Sequence, residues 1–72
     1  MAFDFSKLIG KIAEKFGTRV AFAKEMGLTS EQLSRRLNNR KHFSMDEIYY
    51  ATELLGIPQK EIALYFFTPK VR

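Results

Sequence analysis

The chain has 72 residues, 46% of them hydrophobic and 14% aromatic, and twelve Lys/Arg against eight Asp/Glu give a net charge of +4. This length suits one small domain, so we expect residues 1–72 to form a single domain. Without cysteine the chain can form neither a disulfide framework nor a thiolate metal site, and the single histidine, His42, lacks companion ligands. We therefore expect a cytoplasmic protein without a bound metal. No apolar run approaches the ~20 residues of a membrane span, so no membrane association is expected.

Positive charge is concentrated in the first part of the chain. Residues 1–41 contain nine Lys/Arg and four Asp/Glu, a net of +5, whereas residues 42–72 contain three and four, a net of −1. This asymmetry is typical of a surface that binds a polyanion at one end of a domain. A basic face that is merely solvated is the alternative.

The first two predicted helices are defined by apolar spacing and by end signals. In residues 5–16 the apolar side chains follow the i, i+3, i+4, i+7 pattern of one helical face, with Asp4 or Ser6 as the cap and Gly17 as the stop. Thr18 then caps a short second helix. Four side chains of this helix are expected to provide apolar contacts: Val20, Phe22, Ala23 and Met26.

Two capping boxes indicate where the third and fourth helices begin. Thr29 and Gln32 have the spacing of such a box and predict a third helix that runs to about Asn38. Ser44 and Glu47 repeat the same spacing and predict a fourth helix after the loop RKHF.

The last part of the chain predicts a fifth helix. Gly56 ends the fourth helix, and Pro58 is suited to the first turn of the fifth, PQKEIALYFF. The tail TPKVR is expected to trail along the surface. The predicted core consists of Leu8, Ile12, Phe16, Phe22, Ala23, Leu28, Leu33, Ile48, Leu55, Ile62 and Phe66.

Residues 18–38 combine a short helix, a glycine-containing turn and a second helix. Gly27 supplies a left-handed turn residue four positions after the small Ala23, where the two helices must cross, and Leu28 and Leu33 hold the second helix to the core. This spacing predicts a helix-turn-helix, whose second helix enters the DNA major groove while the first crosses the backbone. An ordinary helical hairpin can show the same features, so both interpretations are open from these residues alone.

The segment TRVAFAKEMGLTSEQLSRRLNNRKHFSMDEIYYATELLGI, residues 18–57, resembles the Cro/CI-type helix-turn-helix domains of phage repressors. The opening FDFSKLIGKIAEKFGT and the closing YFFTPKVR extend the similarity to small Cro-like proteins of temperate phages of Gram-positive bacteria. Within that group the size and the ends resemble the modulator-of-repression proteins, antirepressors that act together with the phage CI repressor. The resemblance implies an all-α domain of five helices, a regulatory role in the decision between lysis and lysogeny, and CI as a partner.

Two residues of the predicted third helix depart from the family pattern or from the needs of DNA binding. Many members carry a large apolar residue where this chain has Arg36, so we expect Leu37 to make the core contact and Arg36 to turn outward. Glu31 places a carboxylate at the exposed start of the helix, where it repels phosphate although it can accept a hydrogen bond from cytosine. DNA binding is therefore expected to be weak or conditional.

The predicted third helix supplies most of the candidate DNA contacts. Candidates for reading bases are Ser30, Glu31, Gln32, Ser34 and Arg35. Arg35 is the strongest, because a guanidinium can bond O6 and N7 of guanine together; a solvated charge is the alternative, and for Gln32 the alternative is its capping box. Candidates for phosphate contacts, which set affinity rather than sequence choice, are Arg19, Arg36, Asn38, Asn39, Arg40 and Lys41.

A second candidate surface lies on the predicted fourth helix. Its candidate partner contacts, together with one residue of the C-terminal segment, are Asp46, Glu47, Tyr49, Tyr50, Glu53 and Phe67. Exposed aromatic rings are favoured at protein interfaces, and carboxylates beside them complement a basic protein surface. Ordinary solvated charge is the alternative interpretation.

Two functions of different classes are compatible with these residues. The first is a modulator that binds the CI repressor and covers its DNA-contact surface, with a helix-turn-helix that also contacts double-stranded operator DNA. The second is an autonomous operator-binding repressor. Catalysis has little support, because the acidic residues lack metal-ligand spacing and the chain has no glycine-rich phosphate loop. We expect a protein that is not an enzyme and needs no cofactor or small-molecule ligand.

Overall fold

The computed structural model describes residues 2–71, and in this range the chain forms five α-helices and no strand. Their bounds are α1 Ser6–Phe16, α2 Arg19–Met26, α3 Ser30–Leu37, α4 Met45–Leu55 and α5 Ile62–Phe66, with a 3₁₀ turn at Gln59–Glu61 before α5. α1 packs against α2, α4 and α5, and α2 packs against α3 and α4. The predicted all-α fold of five helices is confirmed.

Side-chain caps begin α2 and α4 at the predicted positions, whereas the N-cap position of α1 is Phe5 and not the predicted Asp4 or Ser6. Thr18 Oγ1 accepts a hydrogen bond from the first turn of α2 at 3.1 Å. Ser44 and Glu47 form the predicted capping box of α4, with two hydrogen bonds of 3.0 Å. Before α1, Asp4 Oδ1 accepts from the backbone N–H and the hydroxyl of Ser6 at 2.8 and 2.6 Å. These hydrogen bonds hold the pKa of Asp4 below its ordinary value.

Gly27 and Asn39 are among the residues with left-handed backbone at helix ends. Gly27 ends α2 with φ 75° and ψ 24°, and its N–H donates to the carbonyl of Lys24 at 3.1 Å. Asn39, in the loop after α3, has φ 63°, a conformation that asparagine adopts more readily than most residues with a side chain. The sequence predicted the turn at Gly27 and the end of the third helix near Asn38.

The fifth helix starts later than predicted. Pro58 has extended backbone with ψ 146° and precedes the 3₁₀ turn instead of opening an α-helix. The N–H of Glu61 donates to the carbonyl of Pro58 at 2.8 Å, which is an i to i+3 contact. Glu61 then has φ −106° and ψ 1°, outside α-helical geometry, so α5 is confined to Ile62–Phe66.

The core takes apolar side chains from all five helices. Its largest fully buried side chains are Phe22, Phe66, Leu8, Ile12, Leu33 and Leu55, all of which belong to the predicted core. Phe43 joins them from the loop before α4, with ring centroids 5.5 Å from Phe5 and 5.4 Å from Phe66. Edge-to-face contacts of this kind add to the stabilisation that apolar burial provides.

Apolar spacing predicted the core incompletely. Four predicted core residues pack at its edge and are only partly buried: Phe16, Leu28, Ile48 and Ile62. Besides Leu37, four buried apolar residues lie outside the predicted core: Phe5, Ala51, Ile57 and Tyr65. The predicted apolar contact of Val20 is wrong, since its side chain is 63% exposed. Val20 lies two positions before the buried Phe22, which is about 200° around the helix, so the two side chains point in opposite directions.

The two ends of the described chain pair with each other. The N–H of Asp4 donates to the carbonyl of Thr68 at 2.8 Å, and the N–H of Lys70 donates to the carbonyl of Ala2 at 3.0 Å. Phe3 and Pro69 form an isolated antiparallel bridge between these bonds. The tail therefore does not trail along the surface as predicted. Its backbone polar groups find partners in the N-terminal segment, a contact that no local pattern indicates.

Candidate functional site

A reciprocal pair of hydrogen bonds fixes the start of α3. Thr29 Oγ1 accepts from the N–H of Gln32 at 3.1 Å, and Gln32 Oε1 accepts from the N–H of Thr29 at 2.9 Å. The side-chain oxygen of Gln32 is thus occupied in the capping box, which was the alternative to base reading. Ser30 and Glu31, the other predicted base-reading residues of this turn, are exposed.

Glu31 and Arg35 form an ion pair on the exposed side of α3. Arg35 Nη2 donates to Glu31 Oε2 at 3.2 Å, and the two side chains are 61% and 76% exposed respectively. An exposed i, i+4 pair contributes little stability and opens readily. It nevertheless places a carboxylate beside the guanidinium that was predicted to read guanine, and this lowers the positive potential at that position.

Arg36 lies inside the protein at the junction of α3 and α4. Its Nε and Nη2 donate to the two carboxylate oxygens of Glu47 at 2.8 and 3.0 Å, and its Nη1 donates to the carbonyl of Gln32 at 2.9 Å. The residue is 6% exposed. The prediction that Arg36 turns outward to contact phosphate is wrong. A bidentate carboxylate and a carbonyl satisfy the guanidinium, and this allows its burial.

Glu47 is withdrawn from the predicted partner surface for the same reason. Its Oε1 also accepts from the N–H of Ser44 at 3.0 Å, and its side chain is 22% exposed. Hydrogen bonding from Arg36 holds the pKa of Glu47 below its ordinary value of 4.5, against the opposing effect of burial. The carboxylate of Glu47, predicted as a partner contact, is engaged by Arg36 and by the cap of α4.

The two asparagines after α3 make contacts within the protein. Asn38 is exposed, and its Nδ2 donates to Ser34 Oγ at 3.2 Å. Asn39 Oδ1 accepts from the N–H of Phe3 at 2.8 Å, and Asn39 Nδ2 donates to the carbonyl of Phe3 at 2.9 Å. Both polar atoms of this amide hold the N-terminal segment, so the structure gives Asn39 a role within the protein beside its predicted phosphate contact.

Three predicted phosphate contacts are exposed cations near the ends of α2 and α3. Arg19 begins α2, and Arg40 and Lys41 follow α3 in the loop. The N–H of Arg40 donates to the carbonyl of Arg35 at 2.8 Å, which fixes the backbone of the loop to the last turn of α3. These three side chains, at the start of α2 and in the loop after α3, are accessible to a polyanion.

The exposed face of α4 carries rings and carboxylates together. Tyr49 and Tyr50 are 67% and 46% exposed, and Asp46 and Glu53 are exposed as well. We call these four residues the α4 surface. Phe67 is 48% exposed, and its ring packs edge-on against Phe3 with centroids 5.8 Å apart.

Sequence reasoning missed one exposed apolar residue beside this surface. Met45, the first residue of α4, is 86% exposed. The signal was its place directly after the capping Ser44: the first helical position belongs to the exposed end of the helix, whereas Ile48 and Ala51 continue along its inner side.

Among residues 2–71, no group of three or more His, Cys, Asp or Glu is placed to hold a metal ion. Within that same part of the chain, no helix has the length and apolar character needed to cross a membrane.

The fold and these surfaces define an all-α protein with a short two-helix unit rich in cations and a fourth helix that exposes rings and carboxylates. The chain belongs to the family described as Protein of unknown function (DUF739), whose sequence profile matches residues 1–69. It is similar to the modulator of repression (MOR) of the temperate bacteriophage TP901-1 from Lactococcus lactis, known from its solution structure. The two are 42% identical, the match covers 100% of this chain and 97% of that one, and the TM-score is 0.82.

No curated protein matches the chain. The match to the phage modulator confirms the resemblance to small Cro-like proteins of Gram-positive temperate phages, and among them to the modulators of repression.

Proposed function

We propose that the chain regulates a phage repression switch by binding a CI-type repressor in the cytoplasm of the bacterial host. The observation that carries this proposal is the similarity to a modulator of repression, at 42% identity over the full chain. In this proposal the α4 surface contacts the basic, DNA-reading face of the repressor and hinders its access to operator DNA. The chain thus acts by binding, without catalysis.

The charge of the α4 surface supports this choice of partner. Asp46, Tyr50 and Glu53 are spaced i, i+4 and i+7, and all three are exposed. Carboxylates on either side of an aromatic ring attract a cationic protein surface, and the ring supplies apolar contact area once the surfaces meet. The rest of the chain is strongly basic, since the net charge is +4 overall and −1 over residues 42–72.

The contacts within α3 support a secondary role for DNA. Gln32 is occupied in a cap, Arg36 in a buried ion pair, and Glu31 lies beside the guanidinium of Arg35. A recognition helix arranged in this way has few free groups that can bond base edges. We therefore propose that the helix-turn-helix of this protein contacts operator DNA weakly, or only together with the repressor.

An autonomous operator-binding repressor is the second candidate. The exposed cations Arg19, Arg40 and Lys41 favour it, because phosphate contacts from such residues supply most of the affinity of small DNA-binding domains.

Light scattering coupled to size exclusion separates the two candidates. The chain is measured alone, with a CI-type repressor, and with duplex DNA from the phage switch region. We expect a complex with the repressor in the absence of DNA. A wild-type chain that fails to bind the repressor in calorimetry, and that shifts switch-region DNA by itself in a salt-sensitive manner, would replace the first proposal with the second.

Two substitutions test whether the α4 surface makes the contact. Tyr50→Ala is expected to weaken repressor binding by more than ~1 kcal/mol, as truncation of a central interface ring often does. Glu53→Lys is expected to slow association most strongly at low salt. Glu25→Lys, the same charge change at an exposed position of α2, is the matched control. Binding that survives both α4 substitutions would move the contact to another face.

A further inference from the structure

An apolar groove lies between α4 and the C-terminal helix. Met45, Ile48 and Tyr49 of α4 line one side of it, and Ile62 and Phe67 line the other. Its volume is about 260 Å³. An apolar cavity of ~150 Å³ is sufficient to accept a benzene molecule, so this groove has room for one branched or aromatic side chain.

The groove remains open to solvent although its walls are apolar. Met45 is 86% exposed, Tyr49 67% and Phe67 48%. Single exposed apolar residues are ordinary on a protein surface, but several that border one depression mark a place where another molecule binds. Among the described residues, no lysine or arginine lines this depression.

The rim of the groove is acidic. Glu47 is paired with Arg36, and the other charged residues of 45–62 are three acidic residues and one lysine, a net of −2, in a chain whose net charge is +4. Asp46 follows Met45 directly, Glu53 lies one turn beyond Tyr49, and both carboxylates are exposed. Cations on the partner would therefore be attracted to the positions that flank the groove.

The spacing of the α4 residues suits the side chain of another helix. Met45, Ile48 and Tyr49 are related by i, i+3 and i+4, so they are neighbours on one helical face. A set of side chains with this spacing forms part of the hole into which a knob from a facing helix packs. Ile62 of α5 and Phe67, the residue directly after α5, close the hole.

We propose that this groove receives one aliphatic or aromatic side chain that projects from a basic helix of a partner protein. The inference rests on the proposed function and deepens it, because it states which chemistry the partner segment must have: lysine or arginine on both sides of an exposed apolar residue. The carboxylate rim orients the helix, and the apolar side chain fixes its register in the groove.

Calorimetry measures the affinity for a CI-type repressor of a polar and an apolar substitution at Met45. Met45→Asn is expected to weaken binding about tenfold, equivalent to ~1.4 kcal/mol, whereas Met45→Leu retains wild-type affinity. Leu64→Asn is the matched control, since Leu64 is 51% exposed on α5 but does not line the groove. Asp46→Asn is expected to reduce the salt dependence of binding, which Met45→Asn leaves unchanged. Urea midpoints of all variants verify that each one is folded.

Methyl-labelled methionine provides a second measurement on the full chain. The methyl signal of Met45 is expected to move on binding, while that of Met26, which is partly buried on α2, stays in place as the internal reference. A lysine-rich helical peptide with one central leucine serves as a probe that does not depend on the repressor. Its analogue with serine in place of leucine is the control.

The outcomes for the groove and for the proposed function are distinct. Repressor binding that Met45→Asn weakens and Leu64→Asn does not would support the groove. If wild type, Met45→Asn and Tyr49→Ala bind the repressor equally well, the groove inference is overturned and the proposed function stands.

If the wild type does not bind the repressor, the proposed function fails, and binding of the lysine-rich peptide then tests the groove inference. A leucine-dependent shift of the Met45 signal supports the groove, and its absence overturns it. Dimerisation of the chain alone that Met45→Asn abolishes would also overturn the inference, because the occupant would then be a second copy. The exposed Val20, which lies between Arg19 and Lys24, would be the segment to test.

Discussion

Arg36→Ala is expected to destabilise the protein by about 3 kcal/mol. The guanidinium makes hydrogen bonds of 2.8, 3.0 and 2.9 Å, and the side chains of Arg36 and Glu47 are 8% and 22% exposed. Removing one partner of a buried ion pair costs about 3–5 kcal/mol, because the other charge stays buried without compensation. Glu47 keeps its hydrogen bond from Ser44 and some contact with water, which places the cost at the lower end of this range.

Urea unfolding measures this cost directly. With an m-value of about 1 kcal/mol/M, a loss of about 3 kcal/mol lowers the midpoint by about 3 M. Arg35→Ala is the matched control, since it removes an exposed arginine one position away and is expected to change stability by less than about 0.5 kcal/mol. The double variant Arg36→Ala/Glu47→Gln should cost about 1–3 kcal/mol less than the sum of the single variants.

Two results would refute this reasoning. A midpoint for Arg36→Ala within about 0.5 M of the wild type would mean that the guanidinium is solvated. Strict additivity in the double variant would mean that Arg36 and Glu47 are not coupled. Either result, together with a loss of DNA affinity for Arg36→Ala, would return this residue to the predicted phosphate-contacting surface.

Four further predictions concern the pH dependence of stability, DNA binding and the core. Hydrogen bonding lowers the pKa of Glu47 in the folded state below 4.5. Ionised Glu47 therefore stabilises the folded protein above that pH, and this contribution is lost as the pH falls through the folded-state pKa. The urea midpoint of the wild type should therefore fall more steeply below about pH 4.5 than that of Glu47→Gln; parallel curves would contradict this. Glu31→Gln should raise the affinity for duplex DNA about fivefold in anisotropy titrations, because a carboxylate ~4 Å from a phosphate costs about 1 kcal/mol in water. Unchanged affinity would mean that α3 does not lie against the DNA. Arg35→Ala should reduce discrimination between operator and random duplex, whereas Lys41→Ala should weaken both alike and lower the salt slope by about one. Leu33→Ala, at a fully buried position, should cost roughly 2–5 kcal/mol in urea unfolding, and a midpoint close to wild type would show that α3 is misplaced.

The sequence predicted the helices because their signals are local. Thr18, Thr29 and Ser44 each cap a helix through a hydrogen bond three residues along the chain, and Gly27 ends α2 at the predicted residue. Contacts this close in sequence depend on residue type and spacing alone, so a pattern can identify them.

The candidate site was less predictable because its polar groups find partners far along the chain. Arg36 and Glu47 are 11 residues apart, and Asn39 and Phe3 are 36 apart. Residue type indicated that Arg36 and Asn39 could bind an anion, but the packing of α4 and of the N-terminal segment decided which partner each one has. The groove beside Met45 depends in the same way on how α4 and α5 meet.

The pairing of the two termini has a practical consequence for labelling and engineering. Ala2 and Lys70 share a hydrogen bond, and the amide of Asn39 holds Phe3 at the end of α3. Residues 2 and 70, near the two ends of the described chain, therefore lie together in a molecule that measures 30 × 26 × 21 Å. A fluorophore or an affinity tag on either end will lie near the end of α3 and can obstruct it. The same proximity suits circular permutation, since a short linker can join the two ends without stretching the chain and new ends can be opened in an exposed loop on another face.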